Sequence, residues 1–154
     1  MSFEVKPIGI VHSPRKELRD DFWGAVEAEI VLDAAFDEAA LSGLGDFSHV
    51  EVLFLMDRVD PSKVETGARH PRDRADWPLV GIFAQRGKAR PNRIGLTRAA
   101  IVAVEGKVLR VRGLDAIDGT PVLDVKPWME EFAPIGATRQ PAWTGELMGD
   151  YFKD

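Results

Sequence analysis

Arg86, Lys88, Arg90, Asn92 and Arg93 crowd into a short stretch of residues 79–98, which reads LVGIFAQRGKARPNRIGLTR. Guanidinium groups grip carboxylates and phosphates through forked pairs of donors. A basic loop held between two apolar runs is therefore a place to bind something anionic. A solvated face is the ordinary reading of a charge run, but Gly, Pro and Asn interleave these cations and give the loop shape as well as charge. A second group, Asp118-Gly119-Thr120-Pro121, carries two readings. Asp-Gly is a strong hairpin signal; equally, Gly119 lets backbone approach a ligand closely, with Asp118 and Thr120 as acceptor and hydroxyl. Asp124 and Lys126 stand two apart on an expected strand and so share one face. Inside a barrel they would need each other or a ligand; outside, they are a surface pair of little energetic weight.

The charge is unevenly spread. Residues 69–98 hold eight Lys or Arg against Asp73 and Asp76, although the whole chain has 20 basic and 25 acidic side chains and a net charge of -5. The rest of the chain is strongly acidic, so binding to nucleic acid would have to be local. There is no cysteine, which excludes disulfides, thiolate zinc sites and a cysteine nucleophile. His12, His49 and His70 are too scattered to suggest a metal site, and no metal is expected. A length of 154 residues with 45% hydrophobic content suits one globular domain. No signal-like N-terminus or bilayer-length apolar run is present, so a cytoplasmic protein without a membrane partner is expected.

Several short elements must position these groups. Residues 3–11 read as a strand stopped by His12-Ser13-Pro14, and residues 26–32 alternate with the period of a half-buried strand. Residues 33–44 place Phe36, Ala39, Ala40 and Leu44 at helical spacing. Residues 47–56 form an apolar, branched and aromatic run expected to be a central strand. Residues 57–78 lack periodicity, as functional or mobile loops do. Strands are expected at 79–83 and 95–104 on either side of the basic loop. Glu105-Gly106 turns the chain into a strand at 107–114, and Asp118-Gly119 turns it into another at 121–125. Short strands with closely spaced turns favour an antiparallel barrel or sandwich, and the lack of G-x-G-x-x-G after a strand argues against a Rossmann fold.

Four segments, IGIVHSP (8–14), FSHVEVLF (47–54), GIFAQRGKARPNRIGL (81–96) and LDAIDGTPVLDVKP (114–127), resemble the TsaA-like domain of the YaeB/TrmO family. Members read close to GVFATRSPxRPNPIGL in the third segment and LDxxDGTPVxDIKPY in the fourth. Here Gln85 replaces Thr, Gly87-Lys88 replaces Ser-Pro, Arg93 replaces Pro and Trp128 replaces Tyr. The resemblance implies a mainly β fold: a small closed or partly open antiparallel β-barrel of about seven strands with one or two short helices. Residues 1–154 are then expected to be one TsaA-like domain with an irregular C-terminal tail at about 136–154, for which Trp143, Tyr151 and Phe152 are candidate anchors. It also implies an S-adenosylmethionine-dependent methyltransferase, acting on N6 of a threonylcarbamoylated adenosine beside the tRNA anticodon, and a homodimer with the cofactor near the subunit boundary. Bacterial members that act on tRNA often have a further C-terminal domain, which this sequence is expected to lack.

Under that resemblance, the apolar slot for the cofactor falls to Phe83, Ala84, Pro91, Ile94 and Leu114, with Gly95 beside it. Arg86 or Arg90 would hold the cofactor carboxylate or a substrate phosphate, and Asn92 would turn the chain and bond through its amide. Asp118, Gly119 and Thr120 complete the cofactor set. Arg69, His70, Arg72, Lys88, Arg93 and Lys126 are the candidate substrate contacts. Asp118 or Asp124 is the candidate base for a poorly nucleophilic carbamoylated nitrogen. Two other readings are a non-enzymatic module binding S-adenosylmethionine or nucleic acid, and a methyltransferase with a small-molecule acceptor.

Overall fold

A computed structural model describes residues 1–154. Eight strands form: β1 (Gly9–His12), β2 (Glu27–Leu32), β3 (His49–Leu55), β4 (Ala68–Arg69), β5 (Val80–Gly81), β6 (Ile94–Glu105), β7 (Val108–Arg112) and β8 (Pro121–Pro127). Six of them close into an antiparallel barrel in the order β1-β2-β7-β6-β3-β8, and β4 and β5 make a separate two-stranded ribbon. Closure removes exposed strand edges. The alternation expected from the sequence is what fills the barrel. Ala28, Ile30 and Leu32 of β2, Val50, Val52 and Phe54 of β3, and Leu109 and Val111 of β7 point inward and are buried with Val11, Leu114 and Val122.

Strand β6 is the longest and bridges two neighbours, with His49↔Ala100 to Leu55↔Ile94 in its register with β3. A shift between Ile101 and Ala103 separates two parts of its pairing with β7, as bulges do where a strand must bend. On the inward side of β6, Gly95 faces Phe54, whose ring lies 2.4 Å from where a Cβ at Gly95 would sit. The phenyl ring fills the volume that a side chain there would need. Outward positions carry cross-strand pairs, Glu51 with Arg98 at 3.0 Å and Glu27 with Arg112 at 2.6 Å, in the manner of opposed charges on a solvated sheet face.

Several expectations change. The helix expected over 33–44 is absent; the chain makes two single 3-10 turns, Glu38–Leu41 and Leu44–Asp46. Asp33 and Asp37 accept from the amides of Ala35 and Ala39, so side chains compete with a continuous helical ladder. The strand expected at 79–83 shrinks to β5 and passes into a turn at Ile82–Ala84. Of the first expected strand, residues 3–11, only Gly9–Val11 fall within β1, which runs on to His12. The Ile117–Thr120 turn is tight, with Thr120 N donating to Ile117 O at 3.2 Å, but it is no hairpin, because β7 and β8 are not neighbours. The C-terminal stretch is partly regular: α1 (Ala142–Leu147) forms there and the following residues dock on the barrel. No helix is long and apolar enough to cross a membrane.

Candidate functional site

A cleft of about 990 Å³ runs from one mouth of the barrel across the outer face of β3 and β6. One wall is the basic loop, with Phe83, Arg86, Lys88 and Arg90, continued by Ile94 and Leu96. The floor holds Gly95, Thr97, Asp115, Ala116 and Thr120. The facing wall comes from Arg19, Trp23 and the C-terminal residues Leu147, Met148, Tyr151 and Phe152. Phe83 is 77% exposed, an apolar ring presented to the cleft rather than to the core.

The eight cations of residues 69–98 divide sharply. Arg69 is paired with Asp73, Arg72 with Asp21 and more loosely Asp20, Arg74 with Asp76, and Arg98 with Glu51. The bidentate bonds that Arg72 donates to the Asp21 carboxylate, at 2.8 and 3.1 Å, raise the Arg72 pKa above its ordinary value. Arg86, Lys88, Arg90 and Arg93 take part in none of the ion pairs. Arg86 donates to the carbonyl of Leu96, and Arg90 to that of Gln85 at 2.7 Å. Both stay positively charged beside the cleft, with further donors to offer. Arg93 has another task. Its Nη1 donates to Val59 O at 2.9 Å and Asp57 O at 3.4 Å, and its own backbone and that of Asn92 are left-handed, at φ 52° and 62°. It braces a strained turn behind the cleft rather than lining it.

The structure brings Phe83, Arg86, Arg90, Ile94, Gly95 and Thr120 together, with Arg69, Arg72 and Lys88, around one cleft. Ala84, Pro91, Asn92 and Arg93 belong to the turns behind it and do not line it. Leu114 is fully buried in the barrel core, because the inner packing claims it. His70 has its Nδ1 against the carbonyl of Trp77 at 2.6 Å, a structural tie within the 70–77 loop. Asp118 and Gly119 pack on the end of β1: Asp118 accepts from Ser13 N at 3.0 Å, and Gly119 N donates to Val11 O at 2.8 Å. The Asp118 carboxylate faces a separate open hollow with His12, Lys16 and Arg110. Asp124 pairs with Lys126 at 3.1 Å on the outer surface, both well exposed. Neither of the two candidate bases reaches the cleft.

Another carboxylate does. Asp115 accepts from the hydroxyl of Thr97 on one oxygen and from the hydroxyl of Tyr151 on the other. Burial, followed by the Asp115 charge, pushes the Tyr151 phenol far above its ordinary range, so Tyr151 remains a donor. No sequence signal singles out Asp115, although it stands beside Leu114 in the same motif as Asp118. Thr97 is equally unmarked, a polar residue between Gly95 and Ala99 on an inward strand face, and the sequence offers Tyr151 only as an anchor.

The barrel, its basic loop and its cleft define a small β-barrel ligand-binding domain. The chain belongs to the family described as the tRNA-methyltransferase O N-terminal domain, which matches residues 13–133. A probable S-adenosyl-L-methionine-binding protein of Methanothermobacter thermautotrophicus is 34% identical over 140 residues, covering 88% of this chain and 97% of that protein. The tRNA (adenine(37)-N6)-methyltransferase of Mus musculus is 40% identical over 95 residues, 62% of this chain and 22% of that enzyme. The crystal structure of TrmO from P. aeruginosa superposes with a TM-score of 0.74 at 30% identity, over 93% of this chain and 62% of that one. This chain thus spans less than two thirds of the solved TrmO chain and about a fifth of the mouse enzyme.

Proposed function

We propose that this protein is an S-adenosylmethionine-dependent methyltransferase acting on N6 of threonylcarbamoyl-adenosine beside the tRNA anticodon. One observation carries the reading: in a member of this family, a single cleft joins unpaired cations, an exposed aromatic ring and a carboxylate. Its volume, about 990 Å³, lies at the upper end of small-molecule sites, which leaves room for a nucleoside beside a cofactor. The residues fit the cofactor's parts. Phe83, Ile94 and Leu96 offer apolar surface for an adenine ring, and Arg86 and Arg90 offer donors for a carboxylate. When bound, the cofactor supplies an electrophilic methyl group on a sulfonium. The protein's part is to hold acceptor and donor in line, from which most of the acceleration can come. Lys88 and Arg19 stand at the cleft without a carboxylate partner and suit phosphates of an RNA strand. A homodimer would set two such basic walls side by side on an otherwise acidic protein, and residues 1–154 would act as one domain.

Two measurements test this. Equilibrium dialysis with labelled S-adenosylmethionine is expected to show saturable binding that Arg86→Ala weakens. Incubation with tRNA and labelled cofactor, followed by digestion to nucleosides, is expected to give a labelled N6-methyl product. Binding without any labelled nucleoside would move the acceptor to another substrate; no saturable binding would remove the enzyme reading altogether.

A further inference from the structure

The C-terminal segment lies beyond the residues matched to the family, which end at 133, yet it supplies a wall of the cleft. Its docking is specific. Phe22, Trp23 and Gly24 donate backbone hydrogen bonds to the carbonyls of Asp150, Tyr151 and Lys153 at 3.0, 2.9 and 3.2 Å. Trp77 Nε1 donates to Glu146 Oε2 at 3.1 Å. The segment then delivers the Tyr151 hydroxyl to Asp115, opposite the hydroxyl of Thr97.

Asp115 differs from the other acids of the cleft. Glu51, Asp73 and Asp20 face Arg98, Arg69 and Arg72, and Asp57 is exposed at the rim. Asp115 alone is recessed and held by neutral hydroxyls, which fix its orientation without cancelling its charge. Each carboxylate oxygen keeps a lone pair for an incoming N–H.

Building on the methyltransferase reading above, we propose that Asp115 receives the N–H proton of the acceptor and that Tyr151 is a positioning residue, through which the C-terminal segment holds Asp115 in place. In the balanced step the acceptor nitrogen forms its bond to the methyl carbon as the C–S bond breaks. The pair from that bond returns to sulfur as a neutral thioether, and the nitrogen's proton passes to Asp115 and on to water.

The test uses the full chain as wild type, Tyr151→Phe and Asp115→Asn. The first readout needs no turnover: adenosine is titrated calorimetrically into protein loaded with S-adenosylhomocysteine. Both variants should weaken adenosine by about fivefold or more, the weight of one hydrogen bond, with S-adenosylhomocysteine affinity unchanged. The second readout is transfer to a tRNA bearing threonylcarbamoyl-adenosine. Here kcat should fall about 100-fold or more for Asp115→Asn, within the range of a lost proton acceptor, and about tenfold for Tyr151→Phe, as misplacement costs. KM for S-adenosylmethionine should stay level. The proposal is overturned if wild type shows no adenosine binding, if the variants bind adenosine as wild type does, or if cofactor affinity falls in step. Asp115-dependent adenosine binding without transfer to this tRNA would support the subsite and reject only the tRNA acceptor. Tyr151→Phe keeps the ring and its packing, so it reports on the hydroxyl even if Asp115→Asn fails to fold.

Discussion

Gly24→Ala should release the C-terminal segment while leaving the barrel intact. A Cβ at this position would lie 2.1 Å from the carbonyl oxygen of Phe152 and 2.9 Å from its carbon. Both are backbone atoms, which cannot swing aside as a side chain would, so the segment must move. The bonds from Trp23 and Gly24 to Tyr151 and Lys153 flank the clash and are lost first. At about 0.5–1.5 kcal/mol net for each bond, they and the Tyr151–Asp115 bond together amount to about 1.5–4.5 kcal/mol. Their loss is confined to one local unit, so it should appear as local opening. Hydrogen exchange at the amides of residues 23 and 24 should accelerate about 10-fold to 1,500-fold, since about 1.4 kcal/mol is a factor of ten. Amides of Val50 and Val52 in the barrel should exchange as before. Gly145→Ala has the opposite sign: it sits in α1 with no atom within 4 Å of the added carbon. Replacing a helical glycine gains about 0.5–1 kcal/mol, and protection should rise. An unchanged exchange rate at residue 23 in Gly24→Ala would refute the steric reasoning, because no other relief leaves Phe152 in place.

Three further outcomes are expected. Arg93→Ala should cost about 1–2 kcal/mol in urea unfolding, since the carbonyls of Val59 and Asp57 lose their donor, with S-adenosylmethionine affinity unaffected; a selective loss of that affinity would return Arg93 to the site. Gly95→Ala should destabilise by about 1–3 kcal/mol through overpacking against the buried Phe54 ring, and a wild-type melting temperature would contradict it. The third concerns pH. The Tyr151 phenol is raised in the folded protein, so above about pH 10 the unfolded chain loses its phenolic proton while the native state keeps it. The native state then holds more protons than the unfolded, and stability must fall as pH rises. Below about pH 10 the contribution is fully present. Urea unfolding across this range should therefore fall more steeply for wild type than for Tyr151→Phe, and parallel curves would count against the buried phenol.

The barrel strands could be read from the chain wherever one face is buried, because alternation then records burial directly. Strands β2, β3 and β7 show this: their inward residues are the apolar ones the pattern selects. The failures occur where local chemistry overrides spacing. Residues 33–44 have helical spacing, but Asp33 and Asp37 bond to the amides two residues ahead and Gly43 turns left-handed at φ 83°. Residues 79–83 look like a strand because they are apolar, yet Leu79 and Phe83 are exposed and only Val80 and Gly81 pair. Apolar content without alternation does not distinguish a core strand from the wall of a ligand cleft.

At the site, composition locates the cations but not what each one holds. Of eight in residues 69–98, the four with carboxylate partners are tied to acids as near as Asp76 and as far as Asp21. The Asp21 pairing spans 51 residues and leaves no local trace. What remains unpaired is confined to residues 86–93, so the attraction of this loop for an anion rests on fewer groups than a charge count suggests, two of which, Arg86 and Arg90, are already held by carbonyl acceptors. The Arg98 guanidinium is removed twice over, paired with Glu51 and stacked 4.0 Å above Trp128. The carboxylate at the cleft is likewise invisible locally. Asp115 and Asp118 share one motif, and the one that lines the cleft is the one held by Thr97 and Tyr151, 18 and 36 residues away along the chain. Neither hydroxyl belongs to the motif. Position within a motif identifies the neighbourhood of the chemistry, whereas its members' roles follow from contacts made by distant parts of the chain.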